Sequence, residues 1–256
     1  MKISNNTILI TGGTSGIGRG LAEALHKRNN KVIVAGRRKA LIDEITKANP
    51  GIEGLVLDVS DAGKIAEFVA TVKEKYPGLN VLVNNAGIAR MEDWKGDKVD
   101  LAQVQDMIST NITAVINLTA AFVPFLKNKE GATLITTTSG LAFVPMAAAP
   151  TYSATKAFLH SWLQGVRHQL RDSGIEVLEL APPYVQTELG GEAQKKDPKA
   201  LPLDEYIKAV VQIIESGKTP DGEIIEERAK FLRDAERNGS YEKVFADVNA
   251  MEFATV

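Results

Sequence analysis

Six short apolar runs, each followed by a helical pattern, constrain this chain more than any other feature. They are TILIT (7–11), KVIVAG (31–36), GLVLDV (54–59), NVLVNN (80–85), TLITTT (133–138) and IEVLELA (175–181). Each is nearly continuously apolar, as a strand covered on both faces must be. Between them stand GRGLAEALHKRN, KALIDEITKAN, DAGKIAEFVATVKEKY, a long segment from about Leu101 to Lys127, and YSATKAFLHSWLQGVRHQL. Asp61 is placed to cap the third of these helices, and Pro77-Gly78 to end it. Alternating strands and helices with right-handed crossovers give an α/β fold, a doubly wound parallel sheet with helices on both faces. No repeat or linker divides residues 1–256, so a single domain is expected.

After Ala181 the rhythm changes. The stretch PPYVQTELGGEAQKKDPKALPL (182–203) is rich in proline and glycine and reads as a long irregular segment, the kind that serves a substrate site. A helix over Asp204–Ser216, a turn at Pro220-Asp221-Gly222 and a short strand EIIEE (223–227) are expected to follow. Residues 228–256 form a helical tail broken at Asn238-Gly239-Ser240. Its Phe231, Leu232, Tyr241, Val244, Phe245 and Val248 recur at helical spacing and need a covering surface, on their own subunit or a neighbour.

Acids and bases nearly cancel, 32 against 30, which gives no reason to expect a nucleic-acid partner. The absence of cysteine excludes disulfides, thiolate metal sites and cysteine nucleophiles. His26, His160 and His168 form no ligand spacing, so no metal site is expected, and all three read as helix-surface or satisfied residues. The N-terminus reads as a first strand and not as a signal peptide. No apolar run is expected to reach the roughly 20 residues of a membrane span, so neither membrane insertion nor a location outside the cytoplasm is expected.

Four motifs carry chemistry. Thr11-Gly12-Gly13-Thr14-Ser15-Gly16-Ile17-Gly18 follows a strand and opens a helix, where bare backbone and the helix dipole suit a pyrophosphate. This marks the fold as a Rossmann-type dinucleotide domain. At the end of the next strand, Gly36 is followed by Arg37, Arg38 and Lys39, with no acid in sight to bind a ribose 2′-hydroxyl. That favours NADP(H), with NAD(H) possible. Asn84-Asn85-Ala86-Gly87 closes the fourth strand with small residues that let a ribose or ring lie close. Finally, Tyr152 and Lys156, four apart, share a helix face, and Ser139 ends the strand before them. A lysine beside a phenol can lower its pKa from about 10, and a hydroxyl completes a set able to handle the proton of an alcohol–ketone interconversion.

Together these motifs resemble the short-chain dehydrogenase/reductase family, continuously from Thr7 to about Thr187. The resemblance implies cofactor contacts at Gly12, Thr14, Ser15, Gly16, Ile17, Gly18, Arg37, Arg38, Asp58, Val59, Asn85, Ala86 and Gly87. It implies further contacts at Pro182, Val185 and Thr187, although Pro183 stands where the family has glycine and removes an N–H. It implies a catalytic tetrad of Asn111, Ser139, Tyr152 and Lys156, in which Tyr152 is the acid or base and Lys156 also holds a ribose. Within the family, NVLVNNAGI, TSGLAFVP, HQLRD, APP and LRDA look like the DltE-like bacterial oxidoreductases, associated with D-alanylation of teichoic acids. The implied partners are a small-molecule carbonyl or alcohol and further copies of the chain, as homodimer or homotetramer. Leu141, Phe143, Val144, Met146, Tyr184 and Leu189, with Met91 and Trp94, are expected to line an apolar substrate pocket. Two other readings keep the fold: a nucleotide-binding regulator without turnover, and an esterase using Ser139 as nucleophile.

Overall fold

The computed structural model describes residues 1–250. Seven strands are seen among them, β1 (Thr7–Thr11), β2 (Lys31–Gly36), β3 (Glu53–Val56), β4 (Val81–Asn84), β5 (Thr133–Thr137), β6 (Glu176–Leu180) and β7 (Glu223–Ile224). All pairings are parallel, in the order β3-β2-β1-β4-β5-β6-β7. Beside β1 the order reverses, β2 lying on one side and β4 on the other. Such a switch point opens a crevice at the carboxyl ends of the strands.

The sheet's side chains alternate between two cores. Ile8 and Ile10 of β1 pack with Leu21 and Leu25 of α1 (Gly16–His26) and Tyr206 and Val210 of α8 (Leu203–Ser216). Leu9, between them, faces α3 (Ala62–Lys75) and α5 (Ala114–Leu126) on the other side, with Val72, Leu118 and Phe122. All three β1 residues are wholly buried, each contributing about 1.5–3 kcal/mol relative to exposure. Asp61 caps α3 as expected, its carboxylate accepting from the Gly63 amide at 3.1 Å.

Several boundaries differ from the sequence reading. β3 ends at Val56 and not at Val59, because the Asp58 carboxylate turns the chain by accepting from the Ser60 amide and hydroxyl at 3.0 and 2.7 Å. Of the expected strand 223–227 only Glu223 and Ile224 pair with β6. Glu226 instead caps α9 (Glu227–Arg233), accepting from the Arg228 amide at 2.8 Å. Segment 182–203 is more ordered than its prolines suggest. Val185 and Leu201 bridge in parallel and are both buried, and Gly191–Lys196 form α7. The helix from Leu101 to Leu126 is, contrary to expectation, long and apolar enough to cross a membrane, with a mean hydropathy of 1.4. Here it lies on the sheet, with Val115, Leu118, Phe122 and Leu126 buried.

The helical break at 238–240 is present, between α9 and α10 (Tyr241–Ala250). Leu232, Ala235, Val244 and Val248 from this tail pack on Met107, Val144, Met146 and Tyr152 of the same chain. The remaining tail residues, 251–256, lie outside the described residues.

Candidate active site

A cleft of about 400 Å³ runs along the carboxyl ends of the strands. At one end the chain leaves β1 through Gly12, whose φ of +65° favours glycine. A Cβ there would stand 2.8 Å from Ala86 Cα, and one on Gly18 would stand 2.3 Å from the Gly12 carbonyl oxygen. The bare backbone therefore brings β1, α1 and the Asn85–Gly87 turn together. Thr11 fastens that turn, its hydroxyl oxygen accepting from the Asn85 and Ala86 amides at 3.1 and 3.2 Å. Ser15, at the N-cap of α1, forms no side-chain cap, so the first-turn amides stay available to an anion.

Arg37 and Arg38 border the same end. Arg38 Nη2 donates to Ser15 Oγ at 3.1 Å, whereas Arg37 lies 4.0 Å from the Asp58 carboxylate. The expectation that no acid competes is thus corrected: Asp58, from the turn after β3, shares Arg37. Partial burial opposes ionisation of Asp58, but the Ser60 bonds and the nearby Arg37 charge hold its pKa below the usual carboxylate range.

The other end is buried. α6 (Pro150–Leu170) carries Tyr152 and Lys156 on one face, both sequestered from solvent. The start of α6 is held by Glu92, which accepts from the Thr151 amide and hydroxyl, each at 2.8 Å. Ser139 follows β5 and accepts from the Leu141 amide at 3.1 Å, which leaves its own proton to donate. Lys156 Nζ donates to the Thr137 carbonyl at 2.9 Å and lies 5.6 Å from the centre of the Tyr152 ring. Burial pushes the Tyr152 phenol up to about 12, with only the Ser139 hydroxyl pulling the other way. The expected lowering of that phenol by Lys156 is absent in this geometry. Burial likewise brings Lys156 down to about 8, opposed by the charge of Glu179.

The structure places nearly all the site residues read from the sequence on the cleft wall: Thr14, Gly16, Ile17, Val59, Asn85, Ala86, Gly87, Pro182, Val185 and Thr187 join those above. Gly18 and Asn111 stand behind it. Asn111 is wholly buried in a π-helical turn, Ser109–Thr113, joining α4 (Leu101–Ile108) to α5. Its amide accepts from Ile88 N and donates to Ile88 O, both at 2.9 Å, and donates to Thr155 Oγ1 at 3.1 Å. Asn111 therefore pins the turn after β4 to the Tyr152 helix.

The apolar pocket is a correction. Of its eight expected residues only Leu189 borders the cleft. Val144 and Met146 are buried with Tyr152 and the tail, and Trp94 borders a second cavity beside Met146 and Val248. The Tyr184 hydroxyl is held by Asp197 at 3.1 Å. Phe143 sits under Arg233, 4.8 Å from its guanidinium. In their place the cleft has Ile88, Arg90, Thr110, Pro183, Glu188 and Gln194. No periodicity marked these; only the nearness of Arg90 to the Asn84–Gly87 motif could have pointed to it.

A nucleotide cradle at one end and a serine, a phenol and a lysine at the other define an oxidoreductase of the Rossmann type. Residues 6–198 match the short chain dehydrogenase family, and the chain belongs to it. The chain is 40% identical over 255 residues to the uncharacterized oxidoreductase DltE of Bacillus subtilis (strain 168), covering 98% of this chain and 100% of that one. A short-chain dehydrogenase from Burkholderia cenocepacia J2315 in complex with NADP shares the fold, with a TM-score of 0.81 at 24% identity over 97% of this chain and 99% of that one. A short-chain dehydrogenase from Sphingobium yanoikuyae in complex with NADPH gives 0.78 at 25% identity, over 97% and 98%.

Proposed function

We propose that this chain uses NADP(H) to interconvert a carbonyl compound and a secondary alcohol, with Tyr152 as the acid or base. The observation that carries the reading is convergence: Ser139, Tyr152 and Lys156 border the same cleft as the uncapped start of α1 and the two arginines. The cradle that a Cβ at Gly12 or Gly18 would fill suits a pyrophosphate, and Arg37 and Arg38 suit a 2′-phosphate better than a bare ribose. A bound nicotinamide dinucleotide supplies or takes up the hydride.

The chain's own residues handle the proton. In the reducing direction Ser139 donates a hydrogen bond to the carbonyl oxygen as that oxygen gains charge, and Tyr152 transfers its phenolic proton to it. A phenol with a pKa of about 12 remains protonated through the neutral range, so it is set up as a donor; Lys156, whose Nζ is held by the Thr137 carbonyl, is assigned to the cofactor ribose.

The cleft takes a more polar compound than the hydrophobic ketone expected from sequence, because Arg90 joins its lining while Val144 and Met146 pack into the tail's core. NADPH absorbance with a panel of neutral and anionic carbonyl compounds tests both points; no oxidation of NADPH by any of them in wild-type protein counts against the reading. The esterase alternative is disfavoured by His160, whose ring nitrogens are engaged by Glu179 and Gln164 and not by Ser139. We also place the chain in the cytoplasm as a homo-oligomer assembled through α4–α6, where Phe158 is exposed. A link to D-alanylation of teichoic acids follows only from the likeness to DltE, and D-alanine ester content in a strain lacking the chain tests it.

A further inference from the structure

Behind the Tyr152 helix lies a buried group of charges that the reaction above leaves unused. Glu179 of β6 is wholly buried. One of its oxygens accepts from Thr138 Oγ1 at 2.7 Å, and the other is paired with His160 Nδ1 at 2.8 Å. Gln164 Nε2 reaches the second ring nitrogen of His160 at 2.8 Å. His160 thus bridges Glu179 to Gln164 along one turn of α6.

The charges nearby can then be counted. Glu223 is held by both arms of Arg233, at 2.7 and 2.8 Å. Glu223 and Arg233 cancel. Glu179 and Lys156, a carboxylate and an amine, are likewise out of water. A lone buried charge is far costlier than a pair. His160, Glu179 and Glu223 lie close enough to hold a cation, within 4.8 Å. Both carboxylates are nevertheless already engaged by Thr138, His160 and Arg233.

We propose that Glu179 is a positioning residue: it fixes the two segments that carry the site and sets its charge behind Lys156, whose Nζ is held by Thr137, the residue next to Thr138. Its Thr138 bond holds the residue directly before Ser139, and its His160 bond holds α6 one turn beyond Lys156. Burial lowers the affinity of Lys156 for its proton, and Glu179 is the charge that restores part of it. Arg233, from α9, also feels Glu179, so the tail closes the group on its outer side. Tyr152, the remaining titratable neighbour on the same helix face, stays neutral below its own high pKa. The use made of Lys156 rests on the dehydrogenase reading; the pairing of the two charges does not.

The test is a titration of the full chain without cofactor or substrate, so that a failed dehydrogenase reading cannot disguise a failed pairing. In protein labelled with carbon-13 at lysine, the Lys156 Cε signal is assigned by its loss in Lys156→Arg and followed from pH 6 to 11. In Glu179→Gln the midpoint should fall by about one pH unit or more, and Glu179→Asp should recover part of the shift. The double variant Glu223→Gln, Arg233→Met removes the neighbouring pair and should leave the midpoint in place. This second variant also decides the matter if Glu179→Gln does not fold. An unchanged midpoint in folded Glu179→Gln overturns the proposal, as does a fall of a unit or more in the double variant. With an active carbonyl substrate, the alkaline limb of kcat/KM for NADPH oxidation should move to lower pH in Glu179→Gln by the same amount as the Lys156 midpoint; a uniform loss at every pH would mean a merely structural residue.

Discussion

At the adenosine end of the cleft, Arg37 and Asp58 face each other with 64% and 37% of their side chains exposed. At the chemical end, Tyr152 and Lys156 retain 6% and 4%. Water screens the first pair, whose interaction with a ligand is a matter of Coulomb attraction at the surface. The second pair has little water, so its protonation is set by burial, opposed by Ser139 at Tyr152 and by Glu179 at Lys156. Under the proposed function, the same cleft recognises with solvated charge and does chemistry with desolvated charge. Salt should act on one end and pH on the other.

The largest effect expected is at the buried end. Tyr152→Phe should lower kcat/KM by about 10²–10⁴, the usual worth of a general acid, while NADPH affinity stays near wild type by fluorescence titration. Retention of most activity would break the contrast, since the desolvated phenol would then have no part in the reaction. Next comes the exposed end. Arg38→Asp, or Arg37→Asp, should weaken NADPH by about 1.5–3 kcal/mol, roughly 10- to 150-fold, and NADH much less. Asp58→Asn sharpens this, because freeing Arg37 should tighten NADPH. Equal dissociation constants for the two cofactors in the unmodified chain would remove the 2′-phosphate assignment.

Smaller effects come from solvent conditions. Lys156 has a folded pKa of about 8, below its ordinary 10.5. For a base this sign means that the cation is lost early as pH rises. Carbonyl reduction should therefore decline above pH 8, approaching tenfold per unit. The same shift means that the unfolded chain binds more protons between about 8 and 10.5, so the Lys156 contribution to stability rises across that window, and Lys156→Met should flatten it in denaturant titrations. Smallest of all, raising sodium chloride tenfold from a low-salt buffer should weaken NADPH only a few-fold and leave NADH nearly unchanged, the signature of an exposed phosphate contact.

Much of this was legible in the chain itself because periodicity reports burial. The continuous apolar runs located β1, β2 and β5 closely, and the four-residue spacing placed Tyr152 beside Lys156. What escaped was set by contacts between distant segments. Asp58 competes for Arg37 only because β3 lies beside β2. Glu179 sits inside an apolar run and looks like an edge residue until Thr138 and His160 arrive around it. From sequence, Leu141, Phe143, Val144 and Met146 are expected to line the substrate pocket. The 3₁₀ turn at Gly140–Ala142 instead sends Val144 and Met146 toward Leu232, Val244 and Val248 of the tail. Sequence gives the faces of elements; it does not say which remote face will claim a loop.

The π-helical turn at Ser109–Thr113 has a consequence at the level of inheritance. Such a turn accommodates one residue more than the α-helical ladder around it. Because the wide turn absorbs the extra residue, removing one there lets the ladder close while α4 and α5 keep their faces; what is lost is the local backbone that presents Asn111 to both Ile88 and Thr155. This part of the wall behind the site is thus equivalent to a one-codon insertion in an otherwise regular helix. It can be gained or lost in a single mutational step, whereas the Tyr152–Lys156 spacing, set within an unbroken α-helix, tolerates no change in length.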